Sequence, residues 1–306
     1  MNLPIFPAFA PISLELQAAI EDCLSEAGDG ISEFTFGGLY LFRRRYGYRV
    51  SLIPDKTIVI SGGHGHAHDG ERFFSCPIAA PSAEDLRLLF AEHDYWKNIP
   101  PSVAEAEAER EALAAQGIEI AEDRDNFDYL YNRSDLAVLA GKKYHKKRNL
   151  VNAFVNAYPV RHESMLTPEN IGDAKKVLER WHSDKGEDGD YVASAESLEC
   201  FEHLKMRGML FYVNGQPVGY CLGESLARGT MFAVHFEKAI DEYKGIYQYI
   251  NMAFAASLPD SYVTINREQD LGDEGLKQAK ETYRPCGFVK KYTGHLKTRR
   301  LSGKIA

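Results

Sequence analysis

Residues Gly208 to Phe254 read GMLFYVNGQPVGYCLGESLARGTMFAVHFEKAIDEYKGIYQYINMAF, and this stretch predicts a β-meander followed by a helix. Met209 to Val213 and Val218 to Ser225 are apolar runs rich in β-branched and aromatic residues. Between them stands Asn214-Gly215, the dipeptide that most readily supplies two positive φ angles. Thr230 to Phe236 predicts a third strand. The sequence therefore predicts a β-hairpin that is extended by one further strand.

The helix after the meander is predicted from Ile246 to Leu258. Its apolar residues recur at helical spacing and lie near one face, which predicts packing against the sheet. Downstream, the same reasoning predicts a short strand at Tyr262 to Asn266, a helix at Leu276 to Tyr283 and a last strand at Tyr292 to Lys297.

This order of elements resembles the core of the GNAT acyltransferase fold. In that fold, backbone amides at a helix N-terminus face a cofactor pyrophosphate, where unpaired amides and the helix dipole favour an anion. The resemblance implies that Lys244, Gly245 and Ile246 form a cofactor loop. Glu242 stands where the family usually has Arg or Gln, and an acid there repels phosphate, which speaks against acetyl-CoA. The spacing of Ala279, Tyr283 and Gly287-Phe288 is similar to the family's ending, which implies that Tyr283 reprotonates the leaving group.

Two segments carry a closer resemblance, GKKYHKKRN at residues 141–149 and NREQDLGDEGL at residues 266–276. They are similar to bacterial proteins related to the C-terminal, cytosolic domain of phosphatidylglycerol lysyltransferase. The resemblance implies an α/β (α+β) protein with two tandem GNAT-like domains at residues 1–158 and 159–306, each a mixed, mostly antiparallel sheet flanked by helices.

The function implied by that resemblance is acyl or aminoacyl transfer to an amine or hydroxyl of a small or lipid-like acceptor. The donor is then acyl-CoA or aminoacyl-tRNA, and no further cofactor is required. The alternative is a non-catalytic module of the same fold that binds a nucleotide, tRNA or an anionic metabolite. The altered loop around Glu242 is the best support for this alternative.

Composition limits the possible partners. A chain of 306 residues is comfortable for two domains. Its net charge of −8 speaks against a surface that binds nucleic acid throughout, so any contact with tRNA is expected to be local. The five cysteines show no paired spacing, which favours a reducing compartment. Because no apolar stretch approaches the roughly 20 residues of a membrane span, a soluble cytoplasmic protein is expected.

The first half of the chain predicts a sheet and helices of its own. The predicted elements are helices at Leu14 to Ser25, Ala83 to Glu92 and Ser102 to Gln116, and strands at Phe34 to Phe42, Tyr48 to Ile53 and Thr57 to Ser61.

A strongly basic helix is predicted from Gly141 to Ala157. Its first turns carry Lys142, Lys143, Lys146, Lys147 and Arg148, where cations oppose the helix dipole. Because cations at this place lower the stability of the helix, their presence suggests a function, such as binding phosphate groups on a nucleotide, a lipid head group or tRNA. The alternative is a solvated charged face. Lys280 and Arg284 are expected to join this anion site.

The candidate catalytic residues are Glu268 and Tyr283. Glu268 follows a predicted strand and is expected to polarise the acceptor, while adjacent Arg267 can hold a carboxylate or phosphate in a bidentate clamp. The alternatives are an Arg267 ion pair that fastens the loop and a Tyr283 ring that is only part of the core. Asn251 and Asn266 are further candidates for substrate binding.

The segment GGHGHAHDG at residues 62–70 has three alternating histidines, a pattern that can bind metal. Its glycines favour a flexible surface loop, and no separate acidic or thiol cluster offers further ligands. No metal is expected.

Overall fold

The computed structural model describes residues 2–54, 57–63, 70–186 and 189–297. The chain divides into two compact units, one formed by Met1–Asp128 with Val289–Ala306 and the other by Tyr129–Phe288. Each unit contains one seven-stranded sheet. This division differs from the predicted boundary at residues 158 and 159, because Val151 and Phe154 pack into the core of the second unit.

The first unit contains both strands and helices. Its elements are β1 (Ala10–Pro11), α1 (Gln17–Leu24), α2 (Phe36–Tyr46), β2 (Arg49–Leu52), β3 (Ile58–Gly63), β4 (Arg72–Ser75), α3 (Ala83–Glu92), β5 (Tyr95–Ile99), α4 (Pro101–Ala104), α5 (Glu107–Ala115) and β6 (Ile118–Glu122). The last described strand of the chain also belongs to the sheet of this unit, and its range is given with the strands of the second unit.

The strand predicted at Phe34 to Phe42 is wrong, since these residues enter α2. The Thr35 hydroxyl accepts the N–H of Gly38 at 2.9 Å and caps the helix, and Gly47 ends it with a φ of 60°. Phe36 and Tyr40, one turn apart, stack at 5.7 Å. A short apolar run that is buried throughout does not distinguish a strand from a buried helix by periodicity.

The helix predicted at Ser102 to Gln116 is interrupted. It consists of α4 and α5, which are separated at Ala106, where the backbone is extended. The Tyr292 hydroxyl donates a hydrogen bond to Glu105 at this break.

The second unit begins at the next strand. Its elements are β7 (Asp128–Asn132), α6 (Arg133–Val138), α7 (His145–Ala157), β8 (Arg161–Met165), α8 (Ile171–Lys185), α9 (Tyr191–Glu199), β9 (Arg207–Val213), β10 (Gln216–Leu226), β11 (Met231–Ala239), α10 (Ile246–Ser257), β12 (Thr264–Asn266), α11 (Glu274–Glu281) and β13 (Gly287–Val289). The last described strand is β14 (Tyr292–Leu296).

The strand orders are β1-β2-β3-β4-β5-β14-β6 in the first unit and β13-β7-β12-β11-β10-β9-β8 in the second. The predicted hairpin is confirmed, because β9 and β10 pair antiparallel around Asn214 and Gly215, whose φ angles are 51° and 76°. Both sheets contain one parallel pair joined through a helix, β4-α3-β5 and β11-α10-β12. The two units thus repeat one topology.

The core of the second unit lies between its sheet and the helices α6, α7 and α10. Phe154 of α7 and Ile250 and Phe254 of α10 pack with strand residues such as Phe211 and Phe232. Helix α7 is therefore held directly against α10, and this contact positions the basic first turns of α7 near α11.

Candidate functional site

A cleft of about 770 Å³ opens in the second unit between the start of α7 and the end of α11. Clefts of this size accommodate small organic ligands. Its lining is formed by Lys142, Lys143, Lys146, Lys147, Leu150, Gln278, Glu281, Thr282 and Arg284. The structure thus brings together three of the predicted anion-binding lysines and Arg284.

The charge of this cleft is strongly positive. Five of its lining residues are cations and one, Glu281, is an acid. Lys143 forms an ion pair with Asp135 at 2.9 Å. Within residues 2–54, 57–63, 70–186 and 189–297, Lys142, Lys146 and Arg284 have no carboxylate within ion-pair distance. Cations left without partners in a concave surface favour an anionic ligand.

One lining residue, Lys147, connects the cleft to Tyr283, which is 5% exposed and does not itself line the cleft. The ammonium of Lys147 lies 3.9 Å from the centroid of the Tyr283 ring, and the guanidinium of Arg267 lies 5.2 Å from it. Arg267 forms an ion pair with Glu237 at 3.1 Å. The open basic cleft therefore adjoins, through Lys147, a largely buried cluster of an arginine, a carboxylate and a phenol.

The pKa values of this cluster differ from their ordinary ranges. Burial and, after it, the charge of Arg267 lower the pKa of Lys147 to about 8, although Glu237 opposes the shift. Burial raises the pKa of Tyr283 to about 12, while Arg267 acts in the opposite direction. Near neutral pH the phenol is therefore protonated, and Lys147 is a lysine that can release its proton.

The strands β11 and β12 are hydrogen-bonded only from Met231 and Thr264 to Ala233 and Asn266. Beyond that point β11 continues, and side chains bridge the gap between it and the loop after β12. His235 Nδ1 lies 2.7 Å from Glu268 Oε1, and Arg267 reaches Glu237 as described above. Two charged pairs therefore occupy the opening between the parallel strands.

Glu268 belongs to a network separate from that of Tyr283. His235 lies between Glu268 and Glu224, with its Nε2 2.9 Å from Glu224 Oε1, and its side chain is 1% exposed. Burial lowers the pKa of His235, but hydrogen bonds and charges of the two carboxylates outweigh it and raise the pKa to about 10. The histidine is therefore charged at neutral pH. The adjacent residues Arg267 and Glu268 contact different partners.

Asn266 and Lys280 hold this loop in shape. The Asn266 side chain accepts the Glu268 N–H at 2.7 Å, and Glu268 adopts a φ of 57°. The Lys280 ammonium donates to the carbonyls of Arg267 and Glu268 at 2.8 and 3.1 Å and also to that of Gln269. Lys280 does not line the basic cleft.

The predicted cofactor loop at the start of α10 is covered. The N–H groups of Lys244 and Ile246 already donate to the carbonyls of Glu242 and Tyr243. A Cβ on Gly245 would overlap the Leu150 carbonyl oxygen of α7 and would lie 3.2 Å from the Phe154 Cβ. Helix α7 therefore occupies the place in front of the α10 N-terminus.

Asn251 lies in α10 and is 6% exposed. Its Oδ1 is buried and has no hydrogen-bond partner among the described residues. The structure does not bring Asn251 to the lining of the basic cleft.

Of the histidine tract, residues 64–69 lie outside the described residues. Among the described ranges, no group of three or more His, Cys, Asp or Glu side chains is arranged to hold a metal ion. In the same part of the chain, no helix has the length and apolar character needed to cross a membrane.

Sequence reasoning placed Lys147 in the basic segment but did not predict its contact with Tyr283, and it did not identify His235. A signal for Lys147 exists in the sequence, because it lies four and seven residues before the buried Val151 and Phe154. A cation on the buried face of an amphipathic helix is unusual. No local pattern pairs Glu237 with Arg267, since Glu237 lies on β11 and Arg267 lies in the loop after β12.

A family model described as "Phosphatidylglycerol lysyltransferase, C-terminal" matches residues 26–294. The chain belongs to this family. The predicted relationship is thereby confirmed, and with it the transferase-like, GNAT-like type of fold.

Three relatives are similar to this chain in sequence or in structure. A crystal structure of a conserved protein of unknown function from Bacteroides thetaiotaomicron VPI-5482 is 30% identical, covers 94% of this chain and 99% of its own, and has a TM-score of 0.83. The structure of L-PGS from Bacillus licheniformis has a TM-score of 0.63 over 96% of this chain and 95% of its own; at 13% identity it shows the fold alone. An uncharacterised protein of Mycoplasmoides gallisepticum is 25% identical over 170 residues, and the chain spans about half its length, 54%.

Proposed function

We propose that this protein transfers an aminoacyl group from a charged tRNA to an amine or hydroxyl of a small or lipid-like acceptor. The observation that carries the proposal is the basic cleft, whose lining residue Lys147 contacts the adjoining cluster of Tyr283, Arg267 and Glu237. Membership of the phosphatidylglycerol lysyltransferase C-terminal family supports the same reaction class. A charged tRNA as donor implies that the reaction takes place in the cytoplasm.

The choice of donor follows from two features of the second unit. Coenzyme A needs an open helix N-terminus for its pyrophosphate, and helix α7 covers Gly245 at the start of α10. The gap between β11 and β12 is bridged by the His235–Glu268 and Arg267–Glu237 pairs. Both features disfavour acyl-CoA. Neither feature removes the five cations that line the basic cleft, which can bind a phosphodiester chain.

The residues of the cleft and those of the neighbouring cluster and loop have different roles. Lys142, Lys146 and Arg284 bind phosphates of the tRNA 3′ end, and Lys143 adds to their field although Asp135 neutralises part of it. Tyr283, protonated at neutral pH, gives a proton to the ribose oxygen as the ester bond breaks. Lys280 and Asn266 keep the loop that carries Arg267 in place.

The test measures loss of a radiolabelled amino acid from charged tRNA and its appearance on an acceptor. Lysyl-tRNA is the first donor, and phosphatidylglycerol vesicles, soluble amines and soluble alcohols are the acceptors. Tyr283→Phe is expected to lower the rate by about 100-fold, within the range for a general acid. The control is Lys176→Ala, because Lys176 is an exposed lysine of α8 that pairs with Asp173.

A panel of charged tRNAs that gives no transfer to any acceptor would overturn the proposal. Equal rates for Tyr283→Phe and the wild type would remove the phenol from the mechanism. Acetyl-CoA is expected to leave the melting temperature unchanged.

A binding module without catalysis is the second candidate. It is favoured by the engagement of Glu268, whose carboxylate is paired with a charged His235 and is therefore not free to contact an acceptor. In this case tRNA binding to the cleft persists while no transfer is detected.

A further inference from the structure

We infer that Lys147 is the catalytic base, taking the proton from an acceptor amine or hydroxyl bound in the basic cleft. The inference rests on the proposed function and adds to it the group that activates the acceptor. Glu268, the base predicted from sequence, is held instead by His235.

Geometry singles out Lys147 among the cations of the cleft. Lys147 lines the cleft, so a ligand can reach it, while its ammonium rests 3.9 Å from the centroid of the buried Tyr283 ring. No carboxylate pairs with it among the described residues, in contrast to Lys143 with Asp135. Lys147 is thus a partly buried lysine placed beside the phenol that serves the leaving group.

The surroundings of Lys147 favour its neutral form. Arg267 approaches the same tyrosine ring from the loop after β12, and Lys143, Lys146 and Arg284 contribute positive charge from α7 and from the end of α11. The opposing acids are Glu237, which pairs with Arg267, and Glu281 at the cleft. Burial and Arg267 dominate, and the pKa of Lys147 falls to about 8.

The reaction then closes without a further reagent. The neutral Lys147 amine takes a proton from the acceptor N–H or O–H as the acceptor atom bonds to the ester carbonyl carbon. The carbon–oxygen bond to the ribose breaks, and the ribose oxygen takes the Tyr283 proton. The Lys147 ammonium returns its proton to the tyrosinate, so the products are the aminoacylated acceptor and free tRNA.

The decisive variant is Lys147→Arg, which keeps the positive charge but cannot be deprotonated. Single-turnover transfer is measured from pH 6.5 to 10 with saturating charged tRNA. The wild-type rate is expected to rise with pH up to about 8 and then level off. In Lys147→Arg the rate is expected to fall by about 100-fold and to lose this rise. Lys176→Arg, which alters an exposed lysine of α8 outside the cleft, should retain both the rate and the rise.

A Lys147→Arg variant with the wild-type rate and pH profile would overturn the inference. Thermal melting of each variant shows that it is folded. Should no acceptor receive an amino acid, the proposed function fails, and pH-dependent amine labelling read by mass spectrometry decides on Lys147 separately. If the labelling of Lys147 has its midpoint at about pH 8, Lys147 has the lowered pKa that the inference requires. If Lys147 is labelled with the same pH dependence as exposed Lys176, the inference is overturned.

Discussion

Replacing Gly245 with alanine tests whether helix α7 closes the N-terminus of α10. Gly245 has a φ of 92°, and a Cβ there would overlap the Leu150 carbonyl oxygen and would lie 3.1 Å from the carbonyl carbon. Both atoms belong to the backbone of α7, so they cannot move aside as a flexible side chain would. The substitution therefore strains the local conformation and pushes the two helices apart.

The expected cost has two parts. A left-handed conformation costs a non-glycine residue about 1–2 kcal/mol. Insertion of a methyl group into a packed contact costs about 1–3 kcal/mol more. Gly215 is the matched control, because its φ is 76° and nothing lies within 4 Å of its added Cβ. Gly245→Ala is therefore expected to lose about 2–5 kcal/mol, and Gly215→Ala only the first part.

The assay is urea unfolding followed by tryptophan fluorescence. The chain has two tryptophans, Trp96 in the first unit and Trp181 in the second. In a Trp96→Phe background the signal comes from the second unit alone. If the two glycine variants have free energies of unfolding within about 0.5 kcal/mol of each other, α7 does not cover Gly245, and the argument against coenzyme A at this place fails.

Three further predictions concern charged groups of the second unit. The pKa of His235, about 10, lies above its unfolded value, so its stabilisation of roughly 3–5 kcal/mol is complete below about pH 6.5 and is lost as pH rises to 10. Urea midpoints should thus fall over this range in the wild type and stay flatter in His235→Gln; parallel curves would contradict this. Lys280→Met should lower the free energy of unfolding by about 2–4 kcal/mol, since three carbonyls lose a donor. Lys277→Met alters only an exposed ion pair and should lower it by less than about 0.5 kcal/mol. Equal losses in urea unfolding would show that the carbonyl contacts do not stabilise the fold. Lys146→Ala should reduce the slope of log affinity for tRNA against log salt concentration by about 0.7–0.9, and Lys176→Ala should leave it unchanged. An unchanged slope for both variants would show that Lys146 does not bind a tRNA phosphate.

The elements that sequence reasoning predicted well share strong local signals. Asn214-Gly215 sets the hairpin, and helical spacing predicts α10 and α11. The failure at α2 has a physical cause, because a buried apolar run fits either a strand or a helix, and the capping residues Thr35 and Gly47 decide between them. Local pattern thus predicts an element best where one face remains polar.

The candidate site shows the same division. The cluster of lysines at residues 142–147 was visible in the sequence, and the structure places Arg284 beside it. Adjacent Arg267 and Glu268, however, belong to two networks, one with Glu237 and Tyr283 and one with His235. Which partner each residue meets depends on strand pairing, and no spacing along the chain encodes it.

By itself, the sequence determined the class of fold, the meander and helix around which the second unit is built, and a concentration of positive charge at the start of α7. Only the tertiary structure decided that α7 lies over the α10 N-terminus, that charged pairs bridge β11 and β12, and that Lys147 rests on Tyr283. The reason is physical. Turn geometry and amphipathic periodicity act over a few residues, whereas burial and the charges that set a pKa come from segments brought together by packing.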